Sequence, residues 1–136
     1  MNPRLLLLHK QKTSGRLRYL SLPTGMLLSS PLPEDARLFS TETAPPAHVL
    51  PAGFLPEAEA FLALPPGSIE GAPECSIWAS SSAGDVPILL GAFTTTDPPF
   101  AAAENRGGRF ITLTEARGMP QIELEIMRRA YEHVLG

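Results

Sequence analysis

The sequence predicts an α+β fold, a mostly antiparallel sheet with one long C-terminal helix packed on one face, and three observations lead to it. From Pro120 onward, Ile122, Ile126, Met127, Ala130, Tyr131 and Val134 recur at the spacing of one helical face, with Gln121, Glu123, Glu125, Arg128, Arg129, Glu132 and His133 opposite. Arg4 to His9 and Arg16 to Tyr19 read as the two strands of a hairpin around the polar stretch Lys10 to Gly15, and the second strand alternates at period two. Val86 to Phe93 is an almost unbroken apolar run, the pattern of a strand covered on both faces. Hairpins followed by strand, helix, strand and helix belong to the α+β class.

Taken in order, the hairpin turns Leu17 and Tyr19 to the core and Arg16 and Arg18 away from it. Met26 to Leu28 is a further short strand after the break at Pro23, Thr24 and Gly25, and Pro31 and Pro33 close it. Ala36 to Thr41 reads as a strand and Thr43 to Pro51, with His48, as a loop. Pro56 suits the start of a short helix to Leu64, which Pro65-Pro66-Gly67 ends. Cys75, Ile77 and Ala79 alternate with Ser76, Trp78 and Ser80, and Ser81 to Asp85 is the turn into the apolar run. Pro87 asks for a place at the start of that strand or on an edge, because proline cannot donate to a ladder.

Asp97-Pro98-Pro99 opens a helix over Phe100 to Glu104, and Arg109 to Leu113 is the next strand. In the last helix Glu123 and Glu125 lie toward the N-terminus and Arg128, Arg129 and His133 toward the C-terminus, as the macrodipole favours. Pro120 suits its first position, whereas Met119 is a poor cap.

A chain of 136 residues is long enough for one domain, residues 1–136, and short for two. The 43% hydrophobic and 18% charged content is that of an ordinary globular domain, and no run approaches a membrane span, so the expected location is cytoplasmic with no membrane partner. A single cysteine, Cys75, excludes an internal disulfide and fits a reducing compartment. The net charge of −3 conceals a gradient: the first 33 residues carry Arg4, Lys10, Lys12, Arg16 and Arg18 and no acidic residue, whereas residues 34–74 hold seven acidic residues against Arg37 alone.

Tests for familiar chemistry are negative for a nucleophile elbow, a phosphate loop and a dinucleotide fingerprint. His9, His48 and His133 have no metal-ligand spacing, so neither metal nor cofactor is expected. Asn105-Arg106-Gly107-Gly108-Arg109 is the loop whose composition suits an anion: glycine N–H groups with two guanidinium forks, or else a tight solvated connection. Lys10, Lys12, Arg16 and Arg18 form a basic hairpin that reads as a phosphate-contacting ribbon or as a solvated face discouraging edge pairing. Thr94 to Asp97 follows the most apolar strand, where strand ends present binding groups, and Cys75 reads as a buried small hydrophobe.

The functional expectation is a non-catalytic protein-interaction or self-associating domain, a homodimer by preference. Apolar material at Leu5 to Leu8, Leu27, Leu28, Phe54 and Leu55 exceeds what a small core covers, and such surplus marks interfaces. The alternative is a small enzyme or binding domain for an anionic metabolite using Asn105 to Arg109, through Arg106 and Arg109 with Thr95 or Thr96. A pocket holding those arginines with a carboxylate or His48 would mark it, whereas parallel pairing of Val86–Phe93 with Arg109–Leu113 would put the threonines and the loop at opposite ends. The acidic balance of the whole chain argues against a nucleic-acid partner.

Overall fold

A computed structural model describes residues 3–28, 30–40, 51–72 and 77–135. The expectations for the His48 loop and for Cys75 lie outside the described residues, as does the end of the strand read from Ala36. The elements are β1 (Arg4–Lys10), β2 (Leu17–Ser21), β3 (Leu27–Leu28), β4 (Arg37–Leu38), α1 (Leu55–Phe61), β5 (Ile69–Gly71), β6 (Ile77–Ser81), β7 (Gly84–Phe93), α2 (Phe100–Glu104), β8 (Arg109–Ile111) and α3 (Gln121–Leu135). They build an α+β fold on one mixed sheet of order β4-β6-β7-β1-β2-β8, with β3 paired to β1 and β5 to β7.

Among the described residues six of the seven strand pairings are antiparallel, and the seventh joins β1 to β7 in parallel over Arg4↔Ile88 to Leu8↔Ala92. The predicted hairpin is present, with Leu8 opposite Tyr19 and Lys10 opposite Leu17. Pro87 precedes the first β1 pairing at Ile88 and is flanked only by β6, through Trp78. It therefore occupies an edge-like stretch of an otherwise central strand.

Both faces of the sheet are covered, which explains the four consecutive leucines of β1. Leu6 and Leu8 join Tyr19, Ile88, Ile126 and Met127 under α3, while Leu5 and Leu7 join Leu20, Leu55, Leu62 and Phe93 under α1 and α2. Alternate side chains of one strand thus enter two different cores. This corrects the expectation of surplus apolar surface: Leu5 to Leu8, Leu27 and Leu55 are buried, and Leu28 and Phe54 are partly buried against the second core. At about 2–3 kcal/mol per fully buried leucine, the second face is a main source of stability.

Polar contacts hold α3 to the sheet, among them Arg129 Nη1 donating to the Phe39 carbonyl at 2.7 Å. The Tyr19 hydroxyl donates to the Met127 carbonyl at 2.9 Å, and a Glu123 carboxylate oxygen accepts the Met26 N–H at 3.0 Å. Glu123, expected on the solvated face, is only 4% exposed, because its carboxylate sits under the Leu22–Gly25 turn. Tyr131, expected in the apolar stripe, is 43% exposed, since the residues that meet the sheet are Ile126, Met127 and Ala130. Glu59 has the same use on the other face, accepting the Ile69 N–H at 3.1 Å and so tying α1 to β5.

Gly91 leaves room for the second core. A Cβ there would stand 2.8 Å from Leu7 Cδ2 and 2.9 Å from Ile69 Cγ2. Gly91→Ala is therefore expected to destabilise the fold by about 1–3 kcal/mol through overpacking, measured by denaturant unfolding; a change within error would show that β5 gives way freely.

Burial, with Tyr131 a smaller contributor, raises the Tyr19 phenol above its ordinary value. The folded state therefore favours the neutral phenol, and the stability it contributes is present below the unfolded value of about 10 and is lost as pH rises beyond it. Tyr19→Phe should lower stability by about 1 kcal/mol at neutral pH, from the lost hydrogen bond, and should flatten the alkaline fall in Tm. Parallel Tm curves for the two proteins on the alkaline side would contradict this.

Candidate functional site

The hairpin end of the sheet is built around the β1–β2 connection. The Gln11 N–H donates to the Arg16 carbonyl and the Gly15 N–H to the Gln11 carbonyl, both at 2.8 Å, and Gly15 adopts φ +69°, which glycine accepts without a Cβ penalty. This closes a tight loop from which Lys10, Lys12 and Arg16 project into solvent. Among the described residues none of the three forms an ion pair. Arg18 differs: it is half-buried, and its guanidinium donates to the Gln11 side-chain oxygen at 3.3 Å.

The segment Thr94 to Asp97 is fastened to the base of this hairpin. Gln11 donates through its amide nitrogen to the Thr96 carbonyl at 2.9 Å and to the Asp97 carboxylate at 3.0 Å. His9, fully buried, bonds through Nε2 to the Thr95 carbonyl at 2.7 Å. A carbonyl can only accept, so Nε2 carries the proton. Nδ1 finds no partner among the described residues. The threonine hydroxyls are also engaged, Thr94 donating to the Gly67 carbonyl and Thr95 to that of Asp97.

Asn105 to Arg109 lies at the other end of the sheet, where Arg109 pairs with Ser21. The Gly107 and Gly108 N–H groups donate to the Glu104 and Ala103 carbonyls at 2.9 and 2.8 Å, finishing α2. Gly108 must be glycine, since a Cβ would stand 2.6 Å from the Ser21 carbonyl. Arg106 and Arg109 leave on different faces. Arg106 donates through Nε to the Phe61 carbonyl at 2.6 Å and lies 4.6 Å above the Phe61 ring, a cation–π contact. Arg109 alternates with Phe110 and shares the face of Ile111 under α3.

Below Arg109 the Glu115 carboxylate accepts the Thr112 N–H and hydroxyl at 2.9 and 3.0 Å. These bonds, and more weakly Arg109 and Arg16, hold its carboxyl below the usual range. An anion at the 105–109 loop would thus meet the two guanidinium groups singly and no free glycine N–H. Thr95 and Thr96 are gathered to the hairpin and not to Arg106, so the two candidate sites lie at opposite ends of the sheet.

Arg106 also borders a cleft of about 390 Å³ on the α1 face, walled by Leu5, Leu22, Leu28, Phe54, Ala58 and Phe61, with Glu57 on its rim. Its walls come from β1, the β2–β3 turn, α1 and the loop after α2. No local pattern in the sequence announces it, and Glu57 and Phe61 were not singled out there. A second, shallower cleft of about 660 Å³ lies between Glu34–Leu38 and the first turns of α3. Among the described residues no group of three or more metal-ligating side chains converges, and no helix is long and apolar enough to cross a membrane.

No family model matches the chain, and no curated protein matches it. Among solved structures it is similar in fold to Shewanella oneidensis NrtR complexed with a 27mer DNA, with a TM-score of 0.51 and 14% identity over 97% of this chain. The chain spans 61% of that protein's length. This finding overturns the expectation of a self-associating or protein-binding domain, with its anionic-metabolite alternative and its argument against nucleic acid: a protein sharing the fold is seen on DNA. The physical reason the expectation misled is that net charge averages over the chain, whereas a phosphate backbone feels the charges projecting from one loop.

Gln11→Ala is expected to leave the fold intact, cost under about 1 kcal/mol, and speed amide hydrogen exchange at Thr95 to Asp97. Exchange there at the unaltered rate would show that His9 holds the segment without help.

Proposed function

We propose that this domain serves a regulatory role linked to nucleic acid in a cytoplasmic setting, its β1–β2 hairpin lying against a phosphate backbone. The observation that carries the reading is the exposed cluster of Lys10, Lys12 and Arg16 on a short, hydrogen-bonded loop, where among the described residues none of the three forms an ion pair and Glu115 acts only weakly with Arg16. The likeness of fold to a protein crystallised with DNA supports it. The hairpin is a rigid mount, since His9 and Gln11 fasten its base to the end of β7.

Such a loop positions a duplex without reading bases: three cations meet phosphates, and Arg18 stays behind them on Gln11. Affinity then comes from counterion release and falls steeply with salt. Three to four phosphate contacts correspond to a loss of about 40- to 150-fold between about 50 and 200 mM salt.

The test is fluorescence anisotropy of a labelled mixed-sequence DNA duplex against the full chain. Binding at low salt with that salt dependence is expected, and Lys10→Glu, Lys12→Glu and Arg16→Glu together should abolish it while circular dichroism stays native. Absence of binding at low salt, or binding indifferent to the three substitutions, would refute the reading.

A further inference from the structure

The cleft beside α1 takes no part in the hairpin reading, and its chemistry specifies an occupant. At about 390 Å³ it falls within the size range of small-molecule sites, which are mostly apolar with a few placed polar groups. Leu5, Leu22, Leu28, Phe54, Ala58 and Phe61 supply the apolar wall. The side chains bearing full charge are two of opposite sign, Glu57 and Arg106. Arg106 is held in place by its bond to the Phe61 carbonyl and by its stack on the Phe61 ring. That ring is 37% exposed at the mouth of the cleft.

We infer that this cleft binds a neutral, largely apolar, ring-bearing small molecule that offers a hydrogen-bond donor to Glu57. An anion placed there would gain Arg106 but meet the Glu57 carboxylate, and would give up its hydration against a leucine wall; a cation faces the converse. A neutral molecule keeps the favourable dipolar contact with both rim groups and loses only apolar hydration, which favours binding. An aromatic body would complete the stack that Arg106 begins on Phe61. The inference stands apart from the nucleic-acid reading, because the cleft and the hairpin tip lie at opposite ends of the sheet.

The probe is N-phenyl-1-naphthylamine, neutral, apolar and bearing one N–H, titrated by fluorescence into the full chain. Its sulfonated anilinonaphthalene analogue serves as the anionic arm. Saturable one-to-one binding with a blue shift is expected for the neutral probe, with the anionic analogue at least roughly tenfold weaker. Glu57→Gln should narrow that gap from both sides, since the exposed carboxylate that repels the anion gives way to an amide oxygen, a weaker acceptor for the N–H of the neutral probe. Phe61→Ala should weaken the neutral probe by roughly tenfold with native circular dichroism. Should that variant unfold, Thr24→Trp, an exposed position on the β2–β3 turn at the cleft, should block binding sterically. Non-saturable fluorescence, equal affinity for both probes, or binding indifferent to these substitutions overturns the inference.

Discussion

The parallel pairing of β1 with β7 is the constraint on which the rest depends. It joins residues near the start of the chain to residues some eighty positions later, and both strands are covered on both faces. A parallel pair cannot be made by a tight turn and requires a long crossover. The elements between the two strands supply it and become the cover of the second face. α1 packs over Leu5 and Leu7, and β5 returns to the outer half of β7, where the missing side chain of Gly91 admits Ile69. Without that pairing the leucine run of β1 would have one buried face and one exposed.

The two ends of the sheet follow from the same pairing and have opposite characters. Where β1 and β7 end together, the backbone of Thr95 to Asp97 is caught by His9 and Gln11, and the hairpin beyond carries the exposed cations Lys10, Lys12 and Arg16. Where β1 begins, Leu5 meets the β2–β3 turn and α1 across a gap that no described side chain fills, bounded by one carboxylate and one guanidinium. The proposed contact with a phosphate backbone uses the first surface, which keeps its charges in water. An apolar molecule suits the second, which removes it from water. Arg106 and Arg109, three residues apart, are divided between the two faces because Gly107 and Gly108 finish a helix and start a strand within four residues.

Much of the fold was legible from local pattern. The hairpin, the strand ending at Phe93, the short helix after Asp97-Pro98-Pro99 and the long last helix all lie where periodicity and the prolines indicate, although Pro99 and not Asp97 stands at the N-cap of α2 and no side chain caps it. The failures are instructive at particular residues. Glu123 lies on the polar side of the α3 periodicity, yet it is buried because a backbone N–H from a turn nearly a hundred positions earlier needs an acceptor. Tyr131 fits the apolar spacing, yet the sheet does not reach it. The cleft has no local signature, because segments distant in sequence wall it.

By itself the sequence determined the α+β class, the type and approximate span of the elements, and the clustering of charge at the first hairpin. These depend on propensity, periodicity and composition within a few residues, and such interactions are short in range. Only the tertiary structure decided that β1 lies beside β7, that consecutive leucines serve two cores, and that Arg106 guards an apolar cleft while Arg109 sits on the opposite face. Those outcomes are set by the joint burial of distant apolar surfaces and by the need to satisfy each buried polar group. No window of sequence contains both partners of such a contact.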